Sequence, residues 1–259
     1  MPKFAANLSM QFTEVDFLDR FAAAAGCGFK GVEFLFPYAF DKDELAAKLQ
    51  ANGLQQALFN MPPGDWDAGE RGLACLPDRV GEFQDGVGKA IEYAKVLKSP
   101  LLHAMAGLKP EGVDADKLRQ TYVENVKFAA AEVGKAGITL VLEPINFRDM
   151  PGFYLNYSAQ ALEIIAEVGA ENLKLQYDIY HMQRMEGELA NTIAANIDMI
   201  AHMQLADTPG RHEPGTGEIN YSFLFDAIDA AGYQGWIGCE YIPAAGTEAG
   251  LGWFAPYKS

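Results

Sequence analysis

The chain has 259 residues, of which 49% are hydrophobic, and it carries a formal net charge of −15 at pH 7. This length and apolar content suit one large domain with a sizeable core and give no indication of disorder. The negative charge argues against an extended surface for nucleic acid, because phosphates would be repelled. No run approaches the roughly 18 apolar residues of a membrane span, and the first residues lack the apolar core of a signal peptide.

The cysteines indicate the redox compartment. Cys27, Cys75 and Cys239 are odd in number, far apart and outside any CxxC motif. That usage is typical of core or surface thiols in a reducing compartment rather than of a disulfide framework. The sequence therefore predicts a cytoplasmic protein.

Short apolar runs alternate with amphipathic segments along the whole chain. One segment shows both helix-end signals, with Asp41 as N-cap, Glu44 three residues later and Gly53 just after the end. Eight strand–helix units within about 250 residues predict an α/β fold, a single (β/α)8 TIM barrel, over residues 1–259. The predicted strands are 3–8, 31–36, 54–60, 101–107, 139–144, 173–178, 202–207 and 236–241, and the predicted helices are 41–53, 78–97, 115–137, 157–169, 186–201 and 247–257.

A long irregular segment, residues 61–78, follows the third predicted strand. A loop of that length in a compact domain is usually functional. Its place after a strand puts it on the face where barrel active sites are built. We expect it to cover the site as a lid.

Oxygen-bearing side chains close four consecutive predicted strands. Glu143 ends the fifth, Asp178 the sixth and Glu240 the eighth, and Gln204 lies near the end of the seventh. A single acidic residue there is more often solvated or a helix cap, but parallel strands bring all four to one mouth. Buried carboxylates without a cation would repel each other and take up protons. The set therefore predicts a site for a divalent metal, Mg²⁺ or Mn²⁺.

Histidines near this mouth are candidates for substrate contacts. His181 lies three residues after Asp178, where it could contact a substrate oxygen or serve only in packing. His103, on the fourth strand, could face the mouth or the core, and we favour the mouth. His202 should share a strand face with Gln204, because side chains alternate along a strand.

Arginines supply candidates for a substrate carboxylate. Arg211 lies in the loop after the seventh strand, residues 207–221, and a guanidinium can bind a carboxylate in two-pronged fashion. Arg71 and Arg184 compete for that role, and a surface ion pair is the alternative for each. The glycines of the same loop could suggest a phosphate cradle, but two glutamates within it would repel a phosphate.

The segments that carry these residues resemble a known family. They are similar to hydroxypyruvate isomerases and 2-oxo-tetronate isomerases, of the xylose isomerase-like barrel superfamily. The similarity runs through the chain from Phe4 to Tyr241. The segments are FAANLSM, GVEFLFPY, PPGDWDAGERG, EPIN, LQYDIYHMQRMEGEL, EPGTGEINY and GCEY.

The resemblance implies a role for each residue of the mouth. Glu143 and Glu240 would be the paired proton donor and acceptor. In related ketose epimerases two glutamates, an aspartate and a histidine bind a divalent metal. Those positions look like Glu143, Asp178 and Glu240 here, with Gln204 in place of the histidine, so an oxygen ligand stays possible. His181 and Arg211 resemble substrate-oxygen contacts.

The implied reaction moves a carbonyl between C2 and C3, interconverting hydroxypyruvate and tartronate semialdehyde through an enediolate. Two glutamates would act as base and acid, and a metal ion would stabilise the charge on oxygen. Trp66, in the 61–78 loop, could contact the substrate and exclude water. The expected partner is thus a small hydroxy-keto acid, with no nucleic acid and no membrane, and a homo-oligomer is possible.

Alternatives remain at the level of sequence. A 2-oxo-tetronate isomerase would use the same residues on a substrate one carbon longer. An endonuclease for abasic DNA belongs to the same superfamily, but the acidic charge and the presence of only four histidines count against it. A non-catalytic barrel that binds sugar acids would not need paired acid–base carboxylates.

Overall fold

The computed structural model describes residues 1–258 and contains a closed barrel of eight parallel strands in sequential order. Each strand pairs with its neighbour in the chain, and β8 pairs with β1 to close the sheet. The predicted (β/α)8 fold is therefore confirmed. The strands are β1 (Lys3–Asn7), β2 (Gly31–Phe34), β3 (Gln55–Asn60), β4 (Leu101–His103), β5 (Thr139–Leu142), β6 (Leu173–Asp178), β7 (Ile200–Gln204) and β8 (Trp236–Cys239).

Helices cover the outside of this barrel. None of those in the described part of the chain is long and apolar enough to cross a membrane. The α-helices are α1 (Arg20–Gly26), α2 (Lys42–Ala51), α3 (Val80–Leu97), α4 (Ala115–Gly134), α5 (Ser158–Val168), α6 (Ile179–Met185), α7 (Leu189–Ala195) and α8 (Tyr221–Ala230), and 3₁₀ helices occupy Phe17–Asp19, Pro77–Arg79, Ile197–Met199 and Glu248–Tyr257.

The helix predictions differ from the structure in identifiable ways. Helices α1, α6 and α8 were not singled out, and the first two have only seven residues each, too few to display a helical period. The predicted helix 186–201 is divided into α7, a 3₁₀ turn and the start of β7. The last segment is a 3₁₀ helix rather than an α-helix, since it contains two glycines and Pro256, which disfavour an α-helix.

The C-terminal 3₁₀ helix is held by an aromatic cluster at the start of β1. The ring of Phe4 lies 5.0–6.0 Å, centroid to centroid, from four other rings, all of them edge to face. Such pairs add to the stabilisation from burial alone. One of the four comes from α8 and three from the C-terminal segment, so both elements pack on the same strand. They are Phe225, Trp253, Phe254 and Tyr257.

The loop after β3 lies against the loops that follow β2 and β4. Gly72 forms an isolated antiparallel bridge with Ala106, and the Trp66 ring packs on Phe36 with centroids 5.0 Å apart. Gly72 has φ 109° and a side chain there would overlap the carbonyl of Met105, so only glycine permits this approach. These contacts place the loop at the carboxyl ends of the strands, where the polar side chains converge.

Candidate active site

Glu240, directly after β8, is held by three donors. Its Oε1 accepts a hydrogen bond from Arg211 Nη2 at 2.6 Å. Its Oε2 accepts from Gln204 Nε2 at 2.6 Å and from Asn7 Nδ2 at 3.1 Å. Burial raises the pKa of Glu240 to about 8, although the charge of Arg211 opposes the rise. The carboxyl group therefore has one fixed orientation and titrates near neutral pH.

Glu143, directly after β5, is held less tightly. Its Oε2 lies 3.5 Å from His103 Nδ1, while its buried Oε1 has no hydrogen-bond partner. Burial, and then the charges of Glu240 and Asp178, raise its pKa well above the usual value. Glu143 thus tends to hold a proton unless a cation lies beside it.

Asp178 closes β6 and begins α6. Its Oδ1 accepts from the backbone N–H groups of Tyr180 and His181, at 2.7 and 3.3 Å, which caps the helix. Its Oδ2 is buried without a hydrogen-bond partner, and Arg211 Nη2 lies 3.9 Å away. Burial raises the pKa of Asp178 to about 6, against the lowering effect of Arg211. One carboxylate oxygen therefore stays directed into the mouth.

A group of three side chains has the geometry of a cation site. One donor atom from each of Glu143, Asp178 and His181 lies within 4.8 Å of the others. His181 Nε2 is 3.6 Å from Asp178 Oδ2 and 3.9 Å from Glu143 Oε1, and both of these oxygens lack a partner. Buried polar atoms are normally satisfied, so two unpaired carboxylate oxygens side by side fit a divalent ion.

Gln204 faces the same mouth with its amide nitrogen. Nε2 donates to Glu240 and to Glu33, and Oε1 accepts from Gln176 Nε2 at 2.7 Å. In this arrangement Gln204 supports Glu240. Its role as a metal ligand stays a prediction.

Glu33, on β2, contacts Gln204 inside the barrel and was not predicted from the sequence. Its Oε1 accepts from Asn7 Nδ2 at 3.0 Å and from Gln204 Nε2 at 2.8 Å, and its Oε2 lies 2.6 Å from His202 Nε2. As predicted, His202 shares the interior face of β7 with Gln204. The available signal was the same as for Glu143, namely one carboxylate within an apolar run, here GVEFLF.

The loop after β7 is built around Asp207. Its carboxylate accepts four backbone N–H groups at 2.9–3.0 Å, so these amides are not free to cradle a phosphate. Arg211 has φ 55° in this loop, and its guanidinium lies over the Tyr180 ring, 5.1 Å from the centroid. Its buried Nε has no partner in the described part of the chain. Arg211 therefore binds Glu240 and keeps one N–H donor, at Nε, without an acceptor.

The remaining candidates divide between the cluster and the loop after β3. His103 lies beside Glu143, and burial lowers its pKa to about 3, so it is neutral. Arg71 instead stacks 3.9 Å over the Trp66 ring and donates to two loop carbonyls. Within residues 1–258 no hydrogen bond or ion pair joins Arg71 or Trp66 to the carboxylate cluster. Arg184 is bound by Asp149 and the Tyr180 hydroxyl.

Buried carboxyls at the carboxyl ends of barrel strands lie where the active sites of (β/α)8 enzymes are built, and comparison with known proteins identifies the family. A family model for the xylose isomerase-like TIM barrel matches residues 21–257. A 2-oxo-tetronate isomerase of Cupriavidus necator is 56% identical over 99% of both chains, and a hydroxypyruvate isomerase of Escherichia coli is 54% identical over 100% of both.

A crystal structure from Brucella melitensis, named AP endonuclease, family 2, is similar with a TM-score of 0.98 and 48% identity over 100% of both chains. The chain belongs to the xylose isomerase-like TIM barrel family. It is an isomerase, as its full-length relatives indicate, and the predicted family resemblance is confirmed.

Gly238 on β8 offers a test of the buried layer. A methyl group at Gly238 would overlap both carboxylate oxygens of Glu33. In Gly238→Ala we expect Glu33 to be displaced from His202 and Gln204, with a loss of about 1–3 kcal/mol in the free energy of unfolding and reduced isomerase activity. Urea unfolding and kcat measure the two effects.

The matched control is Gly88→Ala, in α3, where a methyl group meets nothing within 4 Å. It should be neutral or slightly stabilising, because alanine favours a helix. Equal stability and activity in the two variants would contradict the tight fit of Gly238 against Glu33.

Proposed function

We propose that the protein interconverts hydroxypyruvate and tartronate semialdehyde by proton transfer through an enediolate. The observation that carries this proposal is the pair of buried carboxyls at the ends of β5 and β8. The pKa of Glu240 is raised to about 8 and that of Glu143 is raised well above its usual value. A carboxyl such as Glu240, which can hold or release a proton near neutral pH, is suited to general acid–base catalysis, and the raised pKa of Glu143 favours a proton on that carboxyl.

The reaction assigns one proton transfer to each glutamate. One of them takes a proton from C3 of hydroxypyruvate, and the electron pair of the broken C–H bond forms the C2–C3 double bond of the enediolate. The other delivers a proton to C2, while the hydroxyl proton passes from O3 to O2. The carbonyl then lies at C3. In the reverse direction the two glutamates exchange roles.

Arg211 and His181 are placed to hold the substrate during these transfers. The free Nε of Arg211 suits the substrate carboxylate, and His181 Nε2 faces the same space as the unpaired oxygens of Glu143 and Asp178. Donors in a buried, water-poor mouth act more strongly than they would in water. Substrate contacts by His103, Arg71 and Trp66 belong to the same proposal, with the 61–78 loop as cover.

A divalent cation, Mg²⁺ or Mn²⁺, completes the proposed site. The unpaired oxygens of Glu143 and Asp178 fit such an ion, with Glu240 and Gln204 as the further ligands. When bound, the ion supplies Lewis-acid stabilisation of negative charge on the substrate oxygens. For Gln204 to offer oxygen its amide must turn by half a rotation, which gives up its hydrogen bonds to Glu33 and Glu240. Gln176 must turn as well, because its Nε2 faces Gln204; its Oε1, which has no hydrogen-bond partner, would then accept from the turned amide.

We also infer a reducing, cytoplasmic setting and no nucleic-acid partner. All three cysteines are free thiols, which supports such a compartment, and the net charge of −15 disfavours binding to phosphate backbones. A homo-oligomer stays a prediction, which a molar-mass measurement in solution would test.

A second candidate is a 2-oxo-tetronate substrate, one carbon longer. The identity of 56% to the Cupriavidus necator relative of that name supports it. The Brucella melitensis structure bears the name AP endonuclease, family 2. The net charge of −15 disfavours binding to DNA, so we do not favour an endonuclease activity.

A substrate panel tests the reaction class and the substrate together. Hydroxypyruvate, 2-oxo-tetronates, simple ketoses and an abasic DNA duplex are each incubated with the protein in deuterated water. We expect isomerisation of hydroxypyruvate with incorporation of deuterium at C2 or C3, which NMR would detect. Faster turnover of a 2-oxo-tetronate would select the second candidate, and cleavage of the DNA alone would overturn both.

Replacement of either glutamate tests the two-carboxyl mechanism. Glu143→Gln and Glu240→Gln keep the shape of the side chain but remove its proton-transfer capacity, so kcat should fall by at least about 100-fold. Glu171→Gln, at an exposed glutamate, is the matched control and should retain activity. Near-normal kcat in either active-site variant, with a native circular dichroism spectrum, would contradict the mechanism.

Chelation tests the cation. Dialysis against a chelator should lower activity, and Mg²⁺ or Mn²⁺ should restore it. Because the raised pKa values of Asp178 and Glu240 mean that protons occupy the metal-free site, Mn²⁺ affinity should rise from about pH 6 to about pH 8 as those protons leave. Titration calorimetry in buffers of different ionisation enthalpy measures the affinity and the released protons.

Asp178→Asn should weaken Mn²⁺ binding, since an amide carries no charge, whereas Asp198→Asn, at an exposed aspartate, should not. Full activity in protein shown to be free of metal would leave the glutamates in place and remove the ion from the proposal.

A further inference from the structure

Asn146, three residues after Glu143, is completely buried and contacts His181. Its side-chain orientation follows from its neighbours. One atom of its amide faces the backbone N–H groups of Arg148 and Asp149, at 3.1 and 2.9 Å. Backbone N–H groups can only donate, so this atom is the oxygen.

The other amide atom is therefore the nitrogen, with two hydrogens to donate. It lies 3.1 Å from Asp149 Oδ2 and 2.6 Å from His181 Nδ1. Asp149 is itself bound by the Tyr180 hydroxyl at 2.7 Å and by Arg184, so its carboxylate is fixed as an acceptor. Both hydrogens of Asn146 have acceptors, and one of these is the imidazole ring.

This contact determines where His181 carries its proton. A ring nitrogen that accepts a hydrogen bond has no hydrogen of its own, so the imidazole is neutral and its one N–H is at Nε2. Nε2 lies 3.6 Å from Asp178 Oδ2 and 3.9 Å from Glu143 Oε1. His181 therefore presents a donor, and no lone pair, to the mouth of the barrel.

We propose that Asn146 is a positioning residue that holds His181 in the Nε2–H tautomer, so that His181 donates to a substrate oxygen and does not ligate the metal. The donation to a substrate oxygen rests on the proposed function. This assignment divides the three side chains of the apparent cation site into two carboxylate ligands and one hydrogen-bond donor. The donor meets oxygen that gains negative charge as the enediolate forms.

Nitrogen NMR of the wild-type protein tests the tautomer directly. In a two-bond proton–nitrogen spectrum, protonated and unprotonated ring nitrogens are distinct, and His181→Gln identifies the signals of His181 among the four histidines. We expect a protonated Nε2 and an unprotonated Nδ1, unchanged when Mg²⁺ is added. A protonated Nδ1, or loss of the Nε2 proton with Mg²⁺, would overturn the proposal.

Asn146→Asp provides the decisive variant. It is nearly isosteric and keeps an oxygen for the N–H groups of Arg148 and Asp149, but it turns an acceptor toward His181 Nδ1. The same oxygen meets Asp149 Oδ2, where the amide donated, so the two carboxyls should share one proton. The proton should move to Nδ1, and kcat should fall by about 100-fold, as on loss of one oxyanion donor. A smaller change in KM is expected, because the contact strengthens only as charge develops.

Asn156→Asp, in the same loop, is the matched control. Asn156 Nδ2 donates to the carbonyl of Ile145 at 2.8 Å, so this variant also loosens the loop but leaves His181 Nδ1 untouched. It should keep the wild-type tautomer. A proton on Nδ1 in both variants would show that the loop structure, and not the Asn146 amide, determines the tautomer of His181.

The outcomes separate this inference from the proposed function. The predicted tautomer in a protein that isomerises no member of the substrate panel would overturn the function alone. Normal isomerisation with the proton on Nδ1 in the wild type would overturn the inference alone. If Asn146→Asp fails to fold, the wild-type spectra with and without Mg²⁺ still decide the tautomer.

Discussion

The cost of burying several carboxylates at one end of a closed barrel shapes the whole site. Charged carboxyls in a low-dielectric interior must be paired, hydrogen-bonded or protonated. Glu33 and Glu240 meet this requirement by sharing the donors of Gln204 and a neighbouring asparagine, with one histidine and one arginine added. Glu143 and Asp178 meet it only in part, since each keeps a buried oxygen without a hydrogen-bond partner. Both therefore need a cation or a proton, and this need underlies the proposed catalytic role of the mouth.

The two proposed catalytic glutamates are therefore unequal in their surroundings. Glu240 is bound by three donors, one of them charged, whereas the nearest partner of Glu143 is His103 Nδ1 at 3.5 Å. The rigid carboxyl is coupled to the loop that carries Arg211, and Asp207 holds that loop in shape from within. A substrate bound to Arg211 would thus lie at a fixed position relative to Glu240, whereas the side chain of Glu143 is held by fewer hydrogen bonds.

The segment EPIN, directly after β5, contributes twice to the mouth. Glu143 supplies a carboxyl, and Asn146 contacts the imidazole of His181 from the turn that follows. The backbone amides of Arg148 and Asp149 orient the Asn146 side chain, so a local turn determines the proton position on a ring 35 residues away in sequence.

The sequence by itself determined the eight-stranded barrel, because strand–helix alternation is a local pattern. It also determined which carboxyls lie at the carboxyl ends of the strands, because parallel strands in a closed sheet must end together. Glu143, Asp178 and Glu240 could be found for that reason. Helices α1 and α6 were too short to show a period, and Glu33 was overlooked inside an apolar strand. Only the tertiary structure decided which atoms meet. Glu33 and His202, which contact each other, are 169 residues apart in sequence. Neighbouring side chains decide whether Gln204 offers nitrogen or oxygen to the mouth, and whether His181 offers a donor or a lone pair. A local sequence pattern contains no information about these neighbours, because they come from distant parts of the chain.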